Sequence, residues 1–326
     1  MLKKYLGKTR ILVPPVGMGV MAAGPSQLAL SIPEGARVIR YAIEKGVSFL
    51  DTAEYYETYP HIKYALDGLA PAFSQNALPP PVISSKSLSK GYKDMQRAID
   101  DCRIALNMDQ IAIFLLHEVL GASDFEARRG AWECLIDAKA KGYIAAAGLS
   151  THHVDVALLA AETVGLDALF PLINIKGLGI RTGERAGARE AMEQAIRAAS
   201  DRGIGVYAMK VFGGGHLLQD YKKALDYVWN LPGIDSLMIG MGREKDVDDA
   251  VAWAEGILPD GYIPDISNKK MFVDRGDCSG CGTCVSRCSS KAVRIDEEKV
   301  AVIDNAVCTL CGYCAPICPT RALILL

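Results

Sequence analysis

Residues 81–150 read PVISSKSLSKGYKDMQRAIDDCRIALNMDQIAIFLLHEVLGASDFEARRGAWECLIDAKAKGYIAAAGLS. Three short apolar runs, 81–86, 111–117 and 144–150, are separated by two longer stretches, 94–107 and 124–141, with apolar residues at helical spacing. Short β-rich runs alternating with longer helical segments are what parallel strands joined by helical crossovers require. The alternation continues in both directions. Further strands are expected at 16–19, 47–51, 169–175, 204–210 and 236–241, and further helices at 33–45, 154–164, 184–202 and 245–255. The helix at 33–45 has Pro33 near its start and Gly46 as its stop. Eight such units in about 250 residues predict an α/β fold, a (β/α)8 TIM barrel. A doubly wound sheet is the alternative, but the first strand-to-helix turn, Gly17 to Ala22, lacks the third glycine of a dinucleotide fingerprint.

The whole chain of 326 residues is long enough for this barrel and one small domain, and 50% hydrophobic content excludes disorder. A net charge of -2 gives no electrostatic reason for a nucleic-acid partner. No apolar run approaches the roughly 20 residues of a membrane helix, and no apolar segment follows Lys3 and Lys4 as in a secretion signal. A cytoplasmic chain without membrane attachment is expected.

In a TIM barrel, chemistry gathers where strands end. The second strand ends in Asp51-Thr52-Ala53-Glu54-Tyr55-Tyr56, the third in Ser84-Ser85-Lys86, the fourth in Leu115-Leu116-His117 and the fifth in Gly148-Leu149-Ser150. Taken singly, each polar residue has a bland reading as a helix cap, a solvated lysine or a core histidine. Their placement on consecutive strands favours a shared site.

These residues resemble the aldo-keto reductase family over roughly residues 5–255. The resemblance implies Tyr56 as general acid, Lys86 lowering its pKa, Asp51 paired with Lys86, and His117 orienting a substrate carbonyl. A phenol of pKa about 10 is a poor acid until a cation stabilises its anion, and a buried ammonium needs a carboxylate. The family's spacing from Asp51 implies Tyr56 rather than Tyr55. For a nicotinamide cofactor, the resemblance implies contacts from Ser150 and Asn174 to the carboxamide and from Met209, Lys210, Val211, Phe212 and Gly213 after the seventh strand. Gly240, Gly242 and Arg243 follow the eighth. Met209 replaces the family's stacking tyrosine, and Asp246 stands among the usual ligands of the 2′-phosphate. NADH and NADPH are therefore equally expected, with loss of nucleotide binding as the alternative. His152 and His153 either touch substrate or simply begin a helix.

Beyond an expected barrel at 1–258 and a linker at 259–270 lies a cysteine-rich segment, 271–326. Eight of the chain's ten cysteines lie there: Cys278, Cys281, Cys284 and Cys288, then Cys308, Cys311, Cys314 and Cys318. Each member of the second set follows its counterpart by 30 residues, as do Asp304 after Asp274 and Arg321-Ala322 after Lys291-Ala292. This duplication has the spacing of a bacterial two-cluster ferredoxin, in which the fourth cysteine of each run serves the other cluster. One 4Fe–4S cluster would use Cys278, Cys281, Cys284 and Cys318, the other Cys308, Cys311, Cys314 and Cys288. Ser289 takes the place that Pro319 fills in the second run. Zinc fits a third cysteine at the same step poorly, and a disulfide framework suits small secreted domains. Cys102 and Cys134 read as core residues.

The expected function is an iron–sulfur oxidoreductase acting on a small carbonyl or alcohol, with electrons from NAD(P)H, through the clusters, or both. The ferredoxin-like domain would also offer a face to a redox partner protein. The alternative is an electron-transfer or redox-sensing module whose barrel binds nucleotide without turnover. Iron and acid-labile sulfide should each approach about eight per chain in anaerobically prepared protein. Zinc as the sole stoichiometric metal would contradict the assignment.

Overall fold

The computed structural model describes residues 1–265, 270–288, 290–308, 314–315 and 317–325; Ser289 and Cys311 lie outside these. The apolar runs form β1 (Val16–Gly19), β2 (Phe49–Asp51), β3 (Val82–Ser87), β4 (Ile111–Leu116), β5 (Ile144–Thr151), β6 (Ala168–Pro171), β7 (Gly205–Ala208) and β8 (Ser236–Gly240). These strands make a closed parallel barrel in chain order, and β8 returns to β1 through Leu237 opposite Val16. The eight strands lie where the sequence reading put them. The largest boundary change is at β6, which stops at Pro171 because the chain beyond it curls into a loop around Asn174.

The outer helices are α1 (Ile32–Glu44), α2 (Tyr59–Ser74), α3 (Tyr92–Leu106), α4 (Ala122–Ala127), α5 (Arg129–Ala140), α6 (Val154–Glu162), α7 (Arg189–Asp201), α8 (Tyr221–Trp229) and α9 (Glu244–Ala254). α1 starts with a capping box in which Ser31 and Glu34 satisfy each other's backbone amides. Three expectations need correction. The helix at 124–141 is two helices, because the buried Arg128 turns inward between them. The helix at 184–202 begins only at Arg189, since Arg181–Thr182 and Arg185–Ala186 form a small hairpin. α2 and α8 were not expected at all.

Two apolar layers result. One lies between barrel and helices; the other fills the barrel interior with Phe49, Ile113, Leu115, Phe170, Tyr207 and Met238. Leu6 and Val13, from an N-terminal hairpin, join the inner layer. No helix among the described residues is long and apolar enough to cross a membrane.

In the C-terminal segment, β9 (Met271–Val273) pairs antiparallel with β12 (Leu323–Leu325), and β10 (Val293–Ile295) with β11 (Ala301–Ile303); a single turn of helix, α10 (Thr283–Arg287), carries Cys284. The sequence duplication is visible in the backbone. Asp274 N donates to Ala322 O at 2.7 Å, and 30 residues away Asp304 N donates to Ala292 O at 2.8 Å. Lys291 and Arg321 both take left-handed backbone, with φ of 56° and 60°.

Arg128 ties the loops that follow β3 and β4. Its guanidinium donates to His117 O at 2.8 Å, Ser87 O at 2.9 Å and Ser89 O at 3.2 Å. Arg128→Met strips these buried carbonyls of their donor and should cost on the order of 3 kcal/mol. The check is a lowered midpoint for barrel unfolding followed by far-UV circular dichroism; an unchanged midpoint contradicts the assignment.

Candidate active site

β2, β3 and β4 run side by side in register, so residues leaving their C-terminal ends share one rim. Lys86 Nζ lies 2.6 Å from Asp51 Oδ2 and donates to Thr52 O at 2.8 Å. Both side chains are almost wholly buried. Burial pushes the Lys86 ammonium down and the Asp51 carboxyl up, and each charge offsets the other's desolvation. The turn Glu54–Tyr56 after β2 brings the Tyr56 hydroxyl to 3.4 Å from His117 Nε2. Asp51 Oδ1 and His117 Nδ1 are buried without hydrogen-bond partners among the described residues. The four residues expected to act together are therefore assembled.

One detail differs from the expected arrangement. Lys86 Nζ sits over the Tyr56 ring, 4.7 Å from its centroid, and bonds Asp51 and Thr52. Burial, reinforced by Tyr55, Asp51, Asp274 and Glu118, holds the Tyr56 phenol well above its usual pKa. Tyr56 is thus a protonated acid at rest. Burial and the cations Lys86 and Arg128 hold His117 well below its usual value, so its ring is neutral. Tyr56 is 9% exposed and Tyr55 41%. Tyr55 instead stacks on the His117 ring, with centroids 5.1 Å apart.

These groups line a cavity of about 220 Å³. Its opposite wall comes from the C-terminal domain: Asp274, Asp277, Ile324 and Leu325. Lys210 Nζ donates to Asp277 Oδ2 at 2.8 Å, and Leu325 N donates to Gly214 O at 2.7 Å. Burial opposes the Lys210 charge, but Asp277, Asp274 and Glu118 hold its ammonium above the usual range. Glu118 and Lys210 both have left-handed backbone, with φ of 51° and 54°, an uncommon conformation for residues with side chains. Glu118, His152 and Asp277 each offer a ligand atom within 4.8 Å of the others. Burial and Lys210 push His152 down to about 3. His153 faces Asp155 near the start of α6. The sequence reading missed Glu118, Asp274 and Asp277, and nothing in their local sequence marks them as neighbours.

The residues expected to hold a nucleotide divide. Ser150, Met209, Lys210, Val211, Phe212 and Gly240 line the cavity, whereas Asn174, Gly213, Gly242 and Arg243 do not. The buried Asn174 amide is spent within its own loop and on Lys210 O, so it offers nothing to a ligand. Ser150 Oγ accepts from Glu118 N at 2.8 Å. Gly242 packs under Leu28, and Gly213 closes a turn onto Lys210 O. Arg243 is engaged by Asp246 at 2.8 Å, and Asp246 also accepts from the Gly242 and Arg243 amides at 3.1 Å.

Cys278, Cys281, Cys284 and Cys318 line a second, small cavity, the set expected for one cluster. Ala301 N donates to Cys278 Sγ at 3.4 Å and Ala292 N to Cys288 Sγ at 3.2 Å. The Thr283 hydroxyl holds Cys281 below the usual thiol value, and the Ser290 hydroxyl does the same for Cys288. The described cysteines are free thiols. Soft sulfur donors assisted by N–H groups fit an iron–sulfur cluster.

The sequence profile of the Aldo/keto reductase family matches residues 15–257. The chain belongs to the aldo/keto reductase family. A 4Fe-4S dicluster domain profile matches 277–322, so this reductase-type barrel carries an iron–sulfur domain at its C-terminal side. A Pseudomonas aeruginosa structure described as an aldo-keto reductase aligns with a TM-score of 0.64 and 22% identity over 79% of this chain and 96% of its own. The holo form of a Bacillus halodurans aldo-keto reductase aligns with a TM-score of 0.64 and 16% identity over 78% of this chain and 91% of its own. At these identities the structures support the fold alone. No curated protein matches the sequence significantly.

The aldo/keto reductase barrel does not present a fit for a nicotinamide dinucleotide in this arrangement. Asp246 already takes the Gly242 and Arg243 amides, Asp277 takes Lys210, and the cavity wall carries Glu118, Asp249 and Asp274 besides. Glu118 is pushed up to about 7 by burial and by the neighbouring Asp277. It should therefore be a neutral acid below that pH and a carboxylate above. Infrared titration should show a protonated-carboxyl band with its midpoint near that value, absent in Glu118→Gln; no titrating band in the unaltered protein contradicts this environment.

Proposed function

We propose that this chain is an iron–sulfur oxidoreductase that interconverts a small carbonyl compound and its alcohol at Tyr56, with electrons entering from the C-terminal domain. The observation that carries this reading is the single cavity whose walls include Tyr56, Lys86 and His117 on one side and Asp274, Asp277 and Leu325 on the other. Two 4Fe–4S clusters, held by the two cysteine sets, would supply single electrons when bound. A reduced one-electron donor of the ferredoxin class is the proposed partner. Of the two electron sources expected from sequence, NAD(P)H has the weaker support, because its phosphate donors are engaged.

Carbonyl reduction consumes two electrons, supplied one at a time by the partner donor, and two protons; Glu118, which lines the cavity and holds its proton up to about pH 7, would give the one that goes to carbon. Tyr56 would give the proton that goes to oxygen. Its phenol is protonated at rest, and the Lys86 ammonium 4.7 Å from its ring stabilises negative charge as that proton leaves. Asp51 holds Lys86 in place and keeps it charged. Neutral His117, with Nε2 3.4 Å from the phenol, would orient the substrate oxygen beside it. Apolar walls from Phe170, Met209 and Val211 would limit water.

The test uses anaerobic holoprotein, dithionite-reduced methyl viologen as donor and a panel of aliphatic and aromatic aldehydes. Tyr56→Phe should lower reduction by roughly 10²- to 10⁴-fold with the cluster absorbance intact. Tyr55→Phe should be mild. An unchanged rate in Tyr56→Phe would reject the proposed proton donor.

A further inference from the structure

We infer that the C-terminal domain fills the phosphate-binding face of this barrel, so that the cluster site formed by Cys278, Cys281, Cys284 and Cys318 replaces a nicotinamide nucleotide as the redox group facing the cavity. The inference deepens the proposed function by choosing its electron source.

TIM barrels bind phosphates with the loops after the seventh and eighth strands. After β7, the Lys210 ammonium is held by Asp277, and β12 lies along the loop through the bond from Leu325 N to Gly214 O. Gly215 shows how close the approach is: a Cβ added there would lie 2.3 Å from Leu325 O. After β8, the Gly242 and Arg243 amides, just before α9, donate to Asp246. A phosphate arriving beside Lys210 or before α9 meets Asp277 or Asp246 already on the donors there.

The duplication shows which half of the C-terminal domain faces the barrel. Asp277 belongs to the first repeat; 30 residues on, the second repeat has Val307, which is 45% exposed. Asp277 immediately precedes Cys278. Arg181 of the barrel donates to Pro319 O at 2.9 Å, and Pro319 immediately follows Cys318. Two of the docking contacts therefore adjoin cysteines of one set, and those cysteines line the same small cavity.

Equilibrium dialysis of the anaerobic holoprotein against NADH and against NADPH should show no saturable binding up to about 1 mM. Saturable binding of either nucleotide below that concentration would overturn the inference. A second measurement is a redox titration followed by electron paramagnetic resonance. Cys311→Ser leaves the first cluster and Cys281→Ser the second; Lys210→Met is added to each. Removing the positive charge beside Asp277 should lower the midpoint of the first cluster and leave the second unmoved. Equal shifts, or none at the first cluster, would overturn the orientation. Neither readout uses turnover or Tyr56, so a failed aldehyde assay leaves this inference standing, and nucleotide binding would reject it without touching the role of Tyr56.

Discussion

The ion pair between Lys210 and Asp277 makes one site out of two domains. Lys210 stands at the end of the seventh barrel strand in a left-handed conformation that few residues with side chains adopt, and Asp277 precedes a cysteine of the iron–sulfur domain. Each charge is largely removed from water, so each depends on the other. With the pair in place, β12 lies against 213–215 and the cavity gains its second wall. A barrel rim that would otherwise open fully to solvent becomes one wall of a partly open chamber that carries several carboxylates.

A second buried pair, Lys86 with Asp51, sets the chemistry inside that chamber. Its role is to keep an ammonium beneath a protein surface where an isolated one would lose its proton. That ammonium faces the ring of a phenol which burial keeps protonated, and a neutral histidine completes the group. The two pairs are of one kind: a lysine from a strand end, charged because a carboxylate from elsewhere in the chain reaches it. One lies against the Tyr56 ring; the other joins the domain that carries the cysteines.

Much of this was legible in the sequence because it is written locally. Eight apolar runs gave eight strands, and Asp51, Tyr56, Lys86 and His117 could be placed by their position after those runs. The cysteine spacing carried the second domain, and Cys318 lines one small cavity with Cys278, Cys281 and Cys284. Helix α2 was not legible, since Gly68 and Pro71 interrupt its pattern, and the break at Arg128 was hidden because its three acceptors lie 11, 39 and 41 residues away. Asn174 was misread because its side chain serves its own loop. Asp277 was invisible for the opposite reason: its partner is 67 residues distant, and only the folded chain brings them together.

The central claim is that barrel and iron–sulfur domain are docked around one cavity. The amide of Leu325 tests it most directly, since that N–H points out of its own domain to Gly214 O. Hydrogen exchange resolved at this amide, in anaerobic holoprotein, should show protection that is lost in Lys210→Asp while the β10–β11 amides keep theirs. Rapid exchange at Leu325 in the unaltered protein would mean that the two domains do not share a site.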